Sequence, residues 1–131
     1  MNVLLITETF QEAHALEHEL VRLLPSLHFD TVQTQQEAIG RFASSKPYAA
    51  VLLDDANADL VISVSRAFRA SGNRPLIICL VGSDDSTLAK DLLAVGANDF
   101  VTKGIGFANR LASVLRGVSV TDDHLREARS F

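Results

Sequence analysis

Short apolar runs alternate with amphipathic segments along the chain, and this alternation limits the folds open to it. The runs are Val3 to Ile6, a weaker Phe29 to Thr34, Ala49 to Leu53, Leu76 to Val81 and Phe100 to Thr102. A strand that is apolar at consecutive positions buries both of its faces, so it belongs in a parallel sheet covered by helices on each side. The segments between the runs supply those helices as crossovers. Five such repeats fit within 131 residues, the size of one domain around one hydrophobic core.

Local signals place the helix ends. Thr9-Phe10-Gln11-Glu12 and Thr34-Gln35-Gln36-Glu37 both have the Thr-x-x-Glu form of a capping box. After the first, Ala13, Leu16, Leu20, Leu23 and Leu24 recur at helical spacing, and Pro25 marks the end. After the second come Ala38, Ile39, Phe42 and Ala43. Asp59 is the expected cap of a third helix carrying Leu60, Val64, Ala67 and Phe68, closed by Gly72 and Pro75. Ser83 to Ser86 is read as the cap of a fourth, with Leu88, Leu92 and Leu93 inward and Gly96 as its C-cap. The last helix buries Phe107, Ala108, Leu111, Val114 and Leu115, and Gly117 is its expected stop. From residue 118 to 131 the sequence turns polar, as a linker or a chain end does. Thr121 to Ala128 makes a fair helix start without a full apolar stripe.

Charge and composition exclude several classes. A net charge of −4 with scattered Lys and Arg gives no basic field for a phosphate backbone, so nucleic-acid binding is not expected. No apolar stretch is long enough to span a bilayer, and Met1 leads into a strand pattern without a basic signal-peptide region. The single cysteine, Cys79, lies inside an apolar run and has no disulfide partner, which fits core packing in a reducing cytoplasm.

Chemistry concentrates at the strand ends. Asp54 follows the third apolar run and Lys103 the fifth. A carboxylate at the carboxyl tip of a buried strand is a potential nucleophile, and a lysine from another strand can neutralise the charge formed there. The plainer reading of the same pair is a salt bridge.

Together these residues resemble the receiver domains of bacterial two-component response regulators. The resemblance covers residues 2 to 117, with Leu52-Leu53-Asp54 and Val95-Gly96-Ala97-Asn98-Asp99-Phe100-Val101-Thr102-Lys103 carrying most of it. It implies a flavodoxin-like, three-layer (βα)5 fold with strand order 2-1-3-4-5, and it makes Asp54 the phospho-acceptor candidate and Lys103 the phosphoryl contact. It also implies an acid pair after the first strand that holds Mg²⁺ with the phosphorylated aspartate. Those positions read Thr7 and Glu8, leaving Glu8 and Asp54 as metal candidates with Asp55 nearby. The hydroxyl expected at the end of the fourth strand is also absent. Counting back from Lys103 selects Val81, counting forward from Pro75 selects Leu80, and both are apolar. Ser83, two residues further on, is read as part of a helix cap. Phe100 stands at the aromatic switch position, Ala56-Asn57-Ala58-Asp59 replaces a Pro-Gly loop, and Gly104 replaces a proline.

These departures resemble the atypical, or pseudo-receiver, branch. They point to a non-enzymatic cytoplasmic signalling module working through protein contacts, with a histidine kinase or an effector domain as partner. The alternative is a working receiver phosphorylated on Asp54 with Mg²⁺. The family's contact surface, on the fourth helix, fifth strand and fifth helix, falls here around Thr87, Lys90, Asp91, Asn109, Arg110 and Ser113, where homodimers also form. The polar tail suggests the input part of a longer protein.

Three other readings compete. His14-Ala15-Leu16-Glu17-His18 fits an inverted zinc-peptidase helix, but both histidines point away from the Leu16 and Leu20 stripe toward water. A haloacid-dehalogenase-like phosphatase needs Asp-x-Asp where Thr7-Glu8-Thr9 stands. A flavodoxin-like small-ligand module is the better competitor, since such sheets bind ligands at their strand ends.

Overall fold

A computed structural model describes residues 1–44, 48–55, 57–71, 75–82 and 86–129; side chains at 42–44, 69, 71, 86 and 119–129 are left aside. In order, the elements are β1 (Asn2–Ile6), α1 (Phe10–Leu23), β2 (His28–Val32), α2 (Gln35–Ser44) and β3 (Ala50–Asp54). They continue with α3 (Ala58–Ser71), β4 (Leu76–Val81), α4 (Ser86–Ala94), β5 (Asp99–Thr102) and α5 (Phe107–Arg129). The strands form one five-stranded parallel sheet in the order β2-β1-β3-β4-β5; the alternation predicts the parallel sheet with crossover helices, and the resemblance implies the flavodoxin-like order.

Strand parity divides the core in two. Leu4, Ile6, Val51, Leu53, Ile77, Cys79 and Val81 point to the face covered by Ala38 of α2, Val61, Val64 and Phe68 of α3, and Leu92 of α4. Val3, Leu5, Ala50, Leu52, Ile78, Leu80 and Val101 point to the other, covered by α1 and α5 through Ala13, Leu20, Leu111, Ala112 and Leu115. Ala50 to Leu53 are completely buried, as a central strand packed on both faces requires. Each fully buried aliphatic side chain stabilises the fold by about 1.5–3 kcal/mol. Burial also pushes the Cys79 thiol up to about 11, so it packs as a small apolar side chain rather than a nucleophile.

The helix ends test the local readings one by one. At α2 the Thr34 hydroxyl accepts the Glu37 N–H at 3.1 Å, and Glu37 Oε2 reaches back to the Gln33 N–H at 3.4 Å. At α1 the box does not form: Thr9 makes no side-chain cap bond, and its hydroxyl lies 3.1 Å from that of Thr7. The cap of α3 is Asn57, whose Oδ1 accepts the Leu60 N–H at 2.8 Å, and not Asp59, which sits in the first turn. After α4, Gly96 adopts φ 126; the Gly96 N–H reaches the Leu93 carbonyl and the Ala97 N–H the Leu92 carbonyl, a Schellman stop. The expected cap at Ser83 and the Gly72 turn lie outside the described residues.

Four sequence readings need correction. Ile39 and Leu93 are exposed, because each follows a buried or half-buried neighbour by one residue and successive helical side chains lie about 100° apart. Gly117 does not end α5, which runs on to Arg129. Val118 extends the buried Leu111 and Leu115 stripe by one turn, so packing carries the helix across the glycine. The second strand also lies earlier than expected, from His28 to Val32.

A Cβ at Gly117 would meet nothing within 4 Å. Gly117→Ala is therefore expected to raise stability by about 0.5–1 kcal/mol in urea unfolding, whereas a glycine acting as a left-handed stop would give a loss. Asn57→Ala is expected to cost about 1 kcal/mol and Asp59→Ala less, a ranking the same measurement reads directly.

Candidate functional site

The order β2-β1-β3 reverses the chain's direction of travel across the sheet at β1, and the carboxyl ends of β1 and β3 flank the crevice this creates. Ile6 pairs with Leu53, so the next residues on each strand, Thr7 and Asp54, stand side by side. Their parity is that of Leu5 and Leu52, which turns both toward the α1 and α5 face. Lys103 has the same parity as Val101 and follows the end of β5, where its N–H donates to the Val81 carbonyl at 2.8 Å. The chain turns out of β3 at Asp55, whose φ of 51 lies in the left-handed region that aspartate tolerates better than most residues.

The Asp54 carboxylate is largely buried and held from two sides. The Thr7 hydroxyl donates to Oδ2 at 2.7 Å, and the Lys103 ammonium pairs with Oδ1. Thr7 is itself buried and fixed from behind, its oxygen accepting the Thr9 N–H at 3.2 Å. Burial pulls the Lys103 pKa down. The hydrogen bond to Asp54 and the fields of Asp54, Asp55 and Glu12 outweigh it, so the net shift is upward.

The loop that carries Lys103 is tied in place. Arg110, one turn into α5, donates to the carbonyls of Thr102 and Ile105, both at 2.5 Å. Gly104 and Gly106 bend this loop with φ 130 and 78. Nearby, the Asn98 side chain accepts the Ile77 N–H at 2.8 Å and so fixes the approach to β5.

The remaining site candidates fall in two places. Glu8 is exposed and lines a groove of about 630 Å³ together with Asp54, Asp55 and Asp59. Val81 is buried and shares its sheet face with the half-buried Phe100, whereas Leu80 lies on the Asp54 and Lys103 face. The two ways of counting thus select residues on opposite sides of the sheet, and the one beside the aromatic position is Val81. His14 and His18 are exposed on α1. Among the described residues, no three His, Cys, Asp or Glu side chains are grouped to hold a metal ion.

The donor set does not fit Mg²⁺. That ion needs hard oxygens in near-octahedral array, and both oxygens of Asp54 already face donors, one a hydroxyl and one an ammonium. Thr7 was read from the sequence only as a missing acid. Its place one residue past β1 sets it against Asp54 only through the register of β1 with β3.

Neither a protein-family model nor a curated protein sequence matches the chain. Solved structures do. A two-component response regulator from Clostridium difficile superposes with a TM-score of 0.74 at 16% identity, over 90% of this chain and 94% of that one. A structure described as an adenylate cyclase from Rhodopirellula baltica gives 0.74 at 18% identity, over 98% and 94%. The receiver domain of a Saccharomyces cerevisiae response regulator, solved with a histidine phosphotransfer signalling protein, gives 0.67 at 15%, over 91% and 86%. The chain therefore has the receiver-domain fold of two-component response regulators. Among the described residues, no helix is long and apolar enough to cross a membrane.

Removing the Thr7 hydroxyl leaves a buried carboxylate oxygen short of a donor. Thr7→Val is expected to lower stability by about 1–3 kcal/mol in urea unfolding, and by much less in an Asp54→Asn background. For Lys103 the folded pKa lies above the unfolded value of about 10.4. The pair's contribution is thus complete below that value and is lost as pH rises through the folded pKa. The gap in urea midpoint between the wild type and Lys103→Met is expected to stay constant from about pH 7 to 10 and to narrow above it.

Proposed function

We propose that the chain is a receiver-like signalling module that works mainly through protein contacts, with Asp54 acting as a structural anion rather than as a phosphoryl acceptor. The observation that supports this reading is the pairing of Asp54 with Thr7 and Lys103. Attack by a carboxylate on a phosphoryl group requires that negative charge be offset at the reacting oxygens. A receiver achieves this with a metal and a lysine. Here a neutral hydroxyl stands at the first metal position, and of the two positions after β1 only Glu8 carries a carboxylate.

The reading is cytoplasmic, non-enzymatic and linked to two-component signalling. A receiver domain of this fold has been solved with a histidine phosphotransfer protein, which supports partners of that kind or a histidine kinase, besides an effector domain. Thr87, Lys90, Asp91, Asn109 and Ser113 are exposed along α4 and α5, a surface that suits a homodimer or effector contact. Arg110 is exposed too, but its guanidinium is bound to its own loop and serves that surface less.

One observation favours the active alternative: Asp54 also lines the open groove that holds Glu8 and Asp55. Amide NMR with Mg²⁺ and beryllofluoride, a phosphoryl mimic, separates the two. The phospho-independent reading expects no coherent shifts near Asp54 and Phe100. Broad shifts that vanish in Asp54→Asn would establish the alternative. Thr7→Asp, which supplies a second carboxylate, is expected to raise Mg²⁺ affinity at least about ten-fold, read by the same titration.

A further inference from the structure

A second cavity opens on the other side of the Asp54 and Lys103 pair, between α1 and α5, with a volume of about 350 Å³. That is within the range of small-molecule sites, about 300–1,000 Å³. Sequence explains why it exists: Ala13 and Ala15 on α1 and Gly104 and Ala108 near the start of α5 are too small to fill the space between the helices. Leu5 and Leu80, both almost fully buried, form its floor, and the half-buried Leu16 and Phe107 form walls.

Its charges are unbalanced. Three carboxylates line it, those of Asp54, Glu12 and Glu19, against the single ammonium of Lys103. Asp54 and Lys103 satisfy each other at the inner end. Glu19 also meets Arg22 at 2.9 Å, in an exposed pair of the kind that contributes little, which leaves Glu12 as the principal anion of the rim. An apolar interior with an acidic mouth suits a molecule with a hydrocarbon body and a positive head, and it disfavours the matching anion.

We propose that this α1–α5 cavity binds small amphipathic organic cations, with the apolar body against Leu5, Leu80 and Phe107 and the ammonium at Glu12 and Glu19. The inference stands apart from the signalling reading, because its test reports on residues other than the Mg²⁺-dependent ones.

The test is amide NMR titration of the full chain with three probes of equal chain length, octylammonium, octanol and octanoate, each below its aggregation threshold. The expected result is saturable shifts at Leu16, Leu80 and Ala108. Octylammonium should bind at least ten-fold more tightly than octanoate, with octanol between them. Glu12→Gln should weaken the amine alone, and Ala108→Leu should weaken both the amine and the alcohol. Ala15→Leu, on the exposed lip, serves the same purpose should the Ala108 variant not fold. Equal binding of amine and acid, an amine no better than the alcohol, or no saturable shift with any probe overturns the proposal. So does the appearance of the same shifts on raising protein concentration alone, which would make the cavity a face between two copies of the chain.

Discussion

Burial of β3 on both faces is the constraint from which the remaining architecture follows. Ala50 to Leu53 are entirely withdrawn from water, and a strand without a wet side must be covered above and below. Helices on both sides in turn require parallel crossovers, and parallel crossovers bring every strand's carboxyl end to one edge of the sheet. The clustering of Thr7, Asp54 and Lys103 is thus a product of topology before it is a product of chemistry. The three residues come from positions far apart in sequence, and each needs only to sit at the end of its strand, Asp54 as the last residue of β3 and Thr7 and Lys103 just past β1 and β5.

At that edge the energetics are those of an anion taken out of water. A largely buried carboxylate is costly unless donors replace its hydration, and Asp54 receives one hydroxyl and one ammonium. A second acid in place of Thr7 would face the same carboxylate without a proton to give, and would need a cation to remain there. With a hydroxyl at this one position, Asp54 is met there by a proton donor from a neighbouring strand. The fields of Asp55 and Glu12 add to that of Asp54 in keeping Lys103 protonated, without adding contacts.

Most of the architecture was legible in the sequence because it rests on patterns several residues long. Leu76 to Val81 is bounded as its composition predicts, and the parallel sheet follows from the alternation, whereas the strand order is the one that the resemblance implies. Single-residue decisions were harder. Asn57 and Asp59 are both competent caps, and the hydrogen bond from the Leu60 N–H to Asn57 decides between them. Gly117 is a sound stop signal by itself, but the burial of Val118 one turn past Leu115 outweighs it. Thr7 was recognised for what it lacks. Its hydrogen bond depends on the β1–β3 register, a non-local quantity that no local pattern encodes.

The pair of hydrogen bonds that Arg110 donates to the Thr102 and Ile105 carbonyls has a mechanical meaning. It ties the first turn of α5 to the peptide immediately before Lys103, so the lysine's backbone and the helix travel together. A partner that twisted α5 would tug on the ammonium holding Asp54, and whatever disturbed Asp54 would be felt along the helix. Such a tether would pass torque between a surface and an interior charge even where no phosphoryl group is ever transferred.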